Sequence, residues 1–484
     1  MNMHYDAIII GSGAGGCAAA YHLNQTSRNV LLLERGGSLP SDGSTLDVER
    51  VLRLEQFKCQ ELWLDGSGKQ VVPGEFANLG GKTKWYGAAL LRFSPHEFGA
   101  DAPHHCFAWP LSYSDLQPFY DEAEHLLGVR TFPPEPDLLE IMSGLQEQDP
   151  AWHRKAMPLG LSANILQNSN EAGHFDGFAL ASGNKADGET ALLARVRQQS
   201  NLHIITGAQA MSFTSEAGHP EKINGVLCAD GRQFHGAKVL LAAGALHSHR
   251  LLQTYLEKNG LAQSLPSYPL IGRYYKHHLN SALMAFSSNR KTDLLRKTAI
   301  LFNDAFPHSS VQALGGNLAG EIVETQLPKF VPAGFARFFG QRAYGFFATT
   351  EDGSHPDNRV LAKANGAAFP QLDYQPERLP EAWQEHLGFI RALRRGLLKQ
   401  GFITAVKHMP LEATAHALGT LIAGRDPSAS VVDCNGKVHG MENLFVVDGS
   451  ALPRSSRVNP ALTIYAWALR VASRLDDGDR ETKR

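Results

Sequence analysis

YDAIIIGSGAGGCAAAYHL, residues 5–23, sets an apolar strand, a glycine-rich turn and a helix of small residues end to end. Gly11, Gly13 and Gly16 occupy the three positions of GxGxxG, with Ser12 and Ala14 among the residues between them. The first glycine permits a tight turn, the second lets the backbone approach a pyrophosphate, and the third lets the helix pack closely on the strand. A second apolar strand, VLLLERGG, ends in Glu34 and Arg35, and Glu34 stands 18 residues after Gly16. An acid at that point accepts hydrogen bonds from the ribose hydroxyls of an adenosine. Strand, turn, helix, strand and acid in register predict a Rossmann-like α/β unit that binds a dinucleotide. The motif does not choose between FAD and NAD(P).

Outward from this unit the chain is long enough, at 484 residues, for two lobes to be expected. A hydrophobic content of 43% and a charged content of 19% fit a globular protein. The net charge of −2 offers no electrostatic ground for nucleic acid or an anionic membrane as partner. No apolar run approaches the length of a membrane span. The first strand begins near Tyr5 and leaves no room for a signal peptide, so a cytoplasmic protein is expected. Cys17, Cys59, Cys106, Cys228 and Cys434 are scattered without zinc, iron–sulfur or CxxC spacing, and read as isolated reduced thiols with no metal.

Residues 38–75 show no strong period and are expected to wander over the surface. FANLGGKTKWYG follows, with Gly80 and Gly81 adjacent, a pair that lets backbone lie flat against a ligand. WPLSYSDLQPFYDEAEHLLGV, 109–129, reads as a helix with capping-box spacing at Ser114 and Gln117 and a stop at Gly128. ETALLARVRQQ predicts a helix, NLHIITGAQAMSF a strand pair, and 223–246 a small meander with turns at Asn224-Gly225 and Asp230-Gly231. Residues 270–410 look more irregular, with strands near 279–286, 343–350 and 358–362. A helix at 381–400 follows, with Trp383, Leu387, Ile390, Leu393 and Leu397 along one face. The segment 327–347 is aromatic and basic: a lid, a partner surface, a shallow membrane contact, or an ordinary helix and strand. The strand NLFVVDGS and a helix starting at Pro460 behind a capping Asn459 close the pattern.

Three features near the C-terminus, HALGT with His416, VVDGS with Asp448 and Gly449, and VNPALT with Asn459, join GSGAGG, Glu34 and NLGGKT in one arrangement. With WPLSYSDLQPFYDEAE, KVLLAAGALHSHRLL, IGRYYKHH and PDNRV, they make the chain resemble the glucose–methanol–choline (GMC) oxidoreductases over nearly its whole length. The resemblance implies FAD as cofactor. It also implies a discontinuous FAD-binding domain over 1–130, 190–270 and 411–484, with an α+β substrate domain over 131–189 and 271–410. On that pattern His416 matches the catalytic histidine and Asn459 the second catalytic position. Gly11, Ser12, Gly13, Ala14, Gly16, Glu34, Arg35, Gly80, Gly81, Thr83, Ala208, Asp448, Gly449, Asn459, Pro460 and Thr463 match cofactor-binding positions. The chemistry agrees, since hydride removal from an alcohol is eased by a base that takes the hydroxyl proton, and histidine is suited to it near neutrality. Asparagine cannot be that base but can hold the alkoxide-like oxygen. The helix N-terminus at Pro460, with the Thr463 N–H in its first turn, suits the negative pyrimidine edge of a reduced flavin.

The chain also departs from some relatives. The stretch EAGHFDGFALASGNKADGET carries no cysteine cluster, and GGKTKWYG carries no histidine for covalent attachment, so non-covalent FAD is expected, with Lys82, Lys84 or Trp85 lining the site. His278 is read as structural, with a substrate-side role as the alternative. The leading expectation is an alcohol oxidoreductase passing electrons to oxygen or another acceptor. A lyase or decarboxylase reaction, or a flavoprotein subunit with a redox partner protein, are the alternatives.

Overall fold

The computed structural model describes residues 4–26, 28–326, 331–362 and 369–481, the last of these from 476 onward as backbone only. His4–Ile10 is buried from Ala7 onward because it runs through the middle of a sheet. It pairs in parallel with Val30–Leu33 on one side and with Gln233–Leu241 on the other. Leu202–Ile205 adds beyond Val30–Leu33, and Leu444–Val446 adds beyond Val239–Leu241, again in parallel. Strands inside such a parallel set read as continuous apolar runs, as VLLL does. At its start, Gln233–Leu241 changes partner, and Gln233–His235 pairs antiparallel with His219–Cys228, which pairs with Ala210–Glu216. The Rossmann-like α/β unit expected from the sequence is therefore present.

Several local expectations are corrected. The two strands within NLHIITGAQAMSF do not pair with each other but lie at opposite ends of this sheet. Asn224-Gly225 is no turn: it lies inside a strand, at a bulge where the register skips from Gly225 to Ile223. Glycine is needed there because a Cβ would stand 2.5 Å from the Phe234 carbonyl oxygen. The reversal comes earlier, at Gly218 between the two strands. The helix Tyr113–Leu126 is capped by Ser112 and Asp115, rather than by Ser114 and Gln117.

The region 270–410 is more regular than its sequence suggests. It supplies five strands of a six-stranded antiparallel sheet, ordered Ile403–His408, Leu279–Phe286, Ala343–Thr350, Ser309–Ala313, Ala299–Asn303 and Trp152–Ala156. The period of two sorts its side chains. Leu283, Ala285, Val311, Ala313, Phe346 and Ala348 share a core cluster with residues of the helices Pro136–Gln148 and Pro380–Lys399. Gln312 and Phe347, one residue out of phase, line a cavity instead. The second helix buries Ala382, His386, Phe389, Ile390, Leu393 and Leu397, while Trp383 and Leu387 are only partly covered. Residues 38–75 are not simply surface: Trp63–Asp65 and Gln70–Val71 join Gln371–Asp373 and Arg359–Leu361 in a small sheet.

Of the aromatic-basic segment, 327–330 lie outside the described residues. The rest forms the helix Ala333–Gly340 and the start of Ala343–Thr350, with Phe335 and Phe338 exposed and the Arg342 guanidinium over the Phe338 ring. Among the described residues no helix is long and apolar enough to cross a membrane.

Candidate active site

The turn after the first strand is held by packing that only glycine permits. Gly11 has φ +101°, and a Cβ there would stand 2.4 Å from the Ala242 carbonyl oxygen. Gly16 packs its Cα against the Gly11 carbonyl, and Gly15, outside the recognised fingerprint, packs against the Val447 carbonyl. Beside Gly13, by contrast, a Cβ would meet nothing within 4 Å, so the turn opens onto free space.

That space is a cavity of about 1660 Å³. A single small-molecule site typically occupies ~300–1,000 Å³, so there is room for a dinucleotide and a substrate together. Gly11, Ser12, Gly13, Ala14, Glu34, Arg35, Gly81, Thr83, Ala208, Asp448, Gly449, Asn459 and Pro460 all line it, as does His416. Gly16, Gly80 and Thr463 stand behind the wall. Gly80 donates its N–H to Ser12 Oγ at 3.1 Å, and Thr463 is fully buried with its hydroxyl 2.8 Å from the Tyr120 hydroxyl. Glu34 is no exposed strand-end charge. Only 6% exposed, it accepts from the Ser12 N–H and hydroxyl and from the Gly36 N–H. Asp448 accepts from the Gly244 N–H and the Ser248 hydroxyl, and burial raises its pKa.

The double-glycine loop contributes Lys82 and Trp85 to the wall. Lys82 pairs with Glu75 and donates to the Thr414 carbonyl at 2.7 Å, two residues before His416. Lys84, expected beside it, turns the other way into a buried cluster with Asp187 at 3.2 Å and Glu189 at 3.0 Å.

At the far end of the cavity, residues remote in the chain meet. Asn459 Nδ2 lies 3.3 Å from His416 Nε2, across 43 residues of sequence. Asn459 Oδ1 accepts from Gln312 Nε2 at 3.0 Å. The Asn459 carboxamide is thus engaged with side chains at the cavity rather than capping the helix Ala461–Glu481 behind it, whose first turn closes from the Ile464 N–H to the Pro460 carbonyl. His416 is partly exposed to the cavity, and its pKa is held well below the usual histidine value, by burial first and then by His278 and Lys82 nearby. It is therefore neutral at physiological pH, the state in which imidazole accepts a proton.

Sequence reasoning missed Gln312, and read His278 as structural with a substrate-side role only as the alternative. His278 Nδ1 lies 2.8 Å from His416 Nδ1, and Gln312 comes from an inner strand of the second sheet. The His278 contact depends on a backbone φ of +68° and carries no local sequence signal. Gln312 shows one: a polar residue at an out-of-phase position in an otherwise apolar and small-residue strand.

Comparison with known proteins identifies the family and the fold. The chain is 27% identical to paromamine 6′-oxidase of Streptomyces fradiae, over 97% of this chain and 90% of that protein. It is 24% identical to 2-methyl-1,2-propanediol dehydrogenase of Mycolicibacterium austroafricanum, over 96% and 94% respectively. Its fold matches the crystal structure of pyridoxine 4-oxidase from Mesorbium loti with a TM-score of 0.71 at 18% identity, over 98% of this chain and 99% of that one. The N-terminal GMC oxidoreductase model matches residues 5–280 and the C-terminal one residues 388–468, and the chain therefore belongs to the GMC oxidoreductases, FAD-dependent enzymes acting on CH–OH donors.

Proposed function

We propose that the protein oxidises a CH–OH group of an alcohol or sugar-like substrate, with non-covalent FAD as cofactor, His416 as base and Asn459 holding the substrate oxygen. The observation that carries this reading is the meeting of His416 Nε2 and Asn459 Nδ2 on the wall of the cavity that also contains Glu34. The residues present fit FAD: open space beside Gly13, a carboxylate at Glu34, and a helix start at Pro460 whose carboxamide neighbour is not spent on capping. Gly11, Ser12, Gly13 and Ala14 would hold the pyrophosphate, and Glu34, Arg35 and Ala208 the adenosine. Gly81, Thr83, Asp448, Gly449 and Pro460 would line the flavin side, with the segments 131–189 and 271–410 covering the substrate. FAD, when bound, supplies the hydride acceptor.

The chain's own residues supply the proton chemistry. The 3.3 Å spacing is a long hydrogen bond, and a substrate hydroxyl enters it by donating its proton to His416 Nε2 while its oxygen accepts from Asn459 Nδ2. Transfer of that proton to His416 leaves an alkoxide-like oxygen held by the amide. Electrons leave to oxygen or to another acceptor, a choice consistent with relatives named both oxidase and dehydrogenase.

Anaerobic flavin reduction, followed by absorbance across sugars, polyols, sterols and aryl alcohols, tests the reading. At least one class reduces the flavin, and His416→Ala slows that reduction by ~100–10,000-fold with FAD still bound. An unchanged rate in this variant removes His416 as base. Because His416 must be neutral to act and its pKa is depressed, the wild-type rate holds as pH falls through 6.5 and drops only below it.

A further inference from the structure

The hydrogen bonds around His416 form a line whose direction can be worked out from one end. The Ser455 carbonyl can only accept. It lies 2.9 Å from His278 Nε2, which must therefore carry a proton. In a neutral His278 the other nitrogen, Nδ1, is then a lone pair, and it faces His416 Nδ1 at 2.8 Å. His416 Nδ1 must be the donor there, which leaves Nε2 as the lone pair on the cavity side, accepting from Asn459 Nδ2. Asn459 Oδ1 in turn accepts from Gln312 Nε2. The reverse polarity fails at Ser455, where a His278 lone pair would meet a carbonyl oxygen.

The far end of this line is built rigidly. His278 is fully buried in the left-handed region at φ +68°, a conformation histidine adopts more readily than most residues but which still carries strain. Asp352 holds it there by accepting the His277 N–H at 2.9 Å and the His278 N–H at 3.2 Å. The same carboxylate accepts from the Ser455 hydroxyl at 2.8 Å, so one buried acid ties the histidine to the carbonyl that orients it.

We propose that His278 is a positioning residue that selects the tautomer of His416, placing its proton on Nδ1 and its lone pair on Nε2 toward the substrate. This rests on the reading of His416 as base. An unconstrained histidine side chain favours a proton on Nε2, the arrangement in which the cavity-side nitrogen could not accept one. Selection by a hydrogen bond at the opposite nitrogen is the general way a protein settles the matter.

The test is nitrogen-15 spectroscopy of flavin-loaded enzyme labelled at the histidine rings, with His416 assigned from its missing signals in His416→Gln. In the wild type His416 carries its proton on Nδ1; a proton on Nε2 overturns the proposal. In His278→Leu the His416 signals move toward the Nε2–H form, and reduction by the fastest alcohol slows by ~10–1,000-fold, a share of what a positioned base contributes. His278→Gln restores most of the rate, because its carbonyl can accept from His416 while its amide donates to Ser455. His278→Lys, which presents only donors to His416, does not. A wild-type rate in His278→Leu, or equal losses in the Gln and Lys variants with the Nδ1 tautomer kept, overturns the proposal. A normal rate in His416→Ala with the Nδ1 tautomer in place would instead sink the base assignment and leave the hydrogen-bonded line standing.

Discussion

Gly15 shows how a single hydrogen-sized side chain can be required by residues far away. A Cβ there would stand 1.8 Å from the Val447 carbonyl oxygen, inside backbone that cannot give way. Gly15→Ala should therefore cost at least the ~1–3 kcal/mol of an overpacked core, read as a fall in thermal midpoint, whereas Gly13→Ala, facing open space, keeps the midpoint of the FAD-free protein. Equal midpoints for the two would refute the packing argument. The GxGxxG fingerprint points to Gly11, Gly13 and Gly16 but is silent on Gly15, because the need for it arises from a carbonyl 432 residues later. The contact of His278 with His416 was illegible for the same reason: its partners, Ser455 and His416, are 177 and 138 residues away. His416 and Asn459 were legible only through the blocks around them, since a lone histidine in a loop has no distinguishing pattern.

Among the elements, the junction of Ser309–Ala313 with Pro380–Lys399 carries the most distinct electrostatics. His308, just before the strand, places Nδ1 2.9 Å from Glu385 on that helix and Nε2 2.9 Å from Asp101 in a third segment. Burial works against its charge, but the two carboxylates outweigh it and raise the imidazole pKa above 6.5. A raised folded pKa gives stability that is fully present below the unfolded value and lost as pH rises through the folded one. His308→Gln should therefore destabilise by roughly 1.5–3 kcal/mol at pH 6, with the difference shrinking as the pH rises past the raised value. Thermal unfolding of both proteins from pH 6 to 9 checks the sign, and a gap that widens with pH would contradict it. The helix at this junction was legible from period and length, as were the strands near 279–286 and 343–350, but Ser309–Ala313 and the strand pairing were not. Alternation in 279–286 and 343–350 says which residues share a face and nothing about which strand lies alongside. Asn224-Gly225 misled because turn chemistry and bulge chemistry call for the same residues.

Over the whole molecule, the cavity runs from Glu34 in the parallel sheet to Gln312 in the antiparallel one. With no histidine in the double-glycine loop, the flavin is expected to be held by contacts alone. Unfolding the purified holoenzyme in guanidinium and filtering it should then put all the flavin in the filtrate, and colour retained with the polypeptide would show a covalent link. The chain length predicts two lobes, but it does not predict that Gln312 of the antiparallel sheet reaches the site through Asn459.

The strand Leu444–Val446 has one more consequence, in time rather than space. It completes the parallel sheet beside Val239, Leu240 and Leu241, all fully buried in the finished fold. At ~5–20 residues per second, a ribosome needs about 10–40 s to pass from residue 241 to residue 444. During that interval, once Leu241 has emerged, the nascent chain presents an apolar strand with an unpaired edge, the kind of surface other chains pair with. Synthesis of this protein thus includes a waiting period during which its parallel sheet is open on one side.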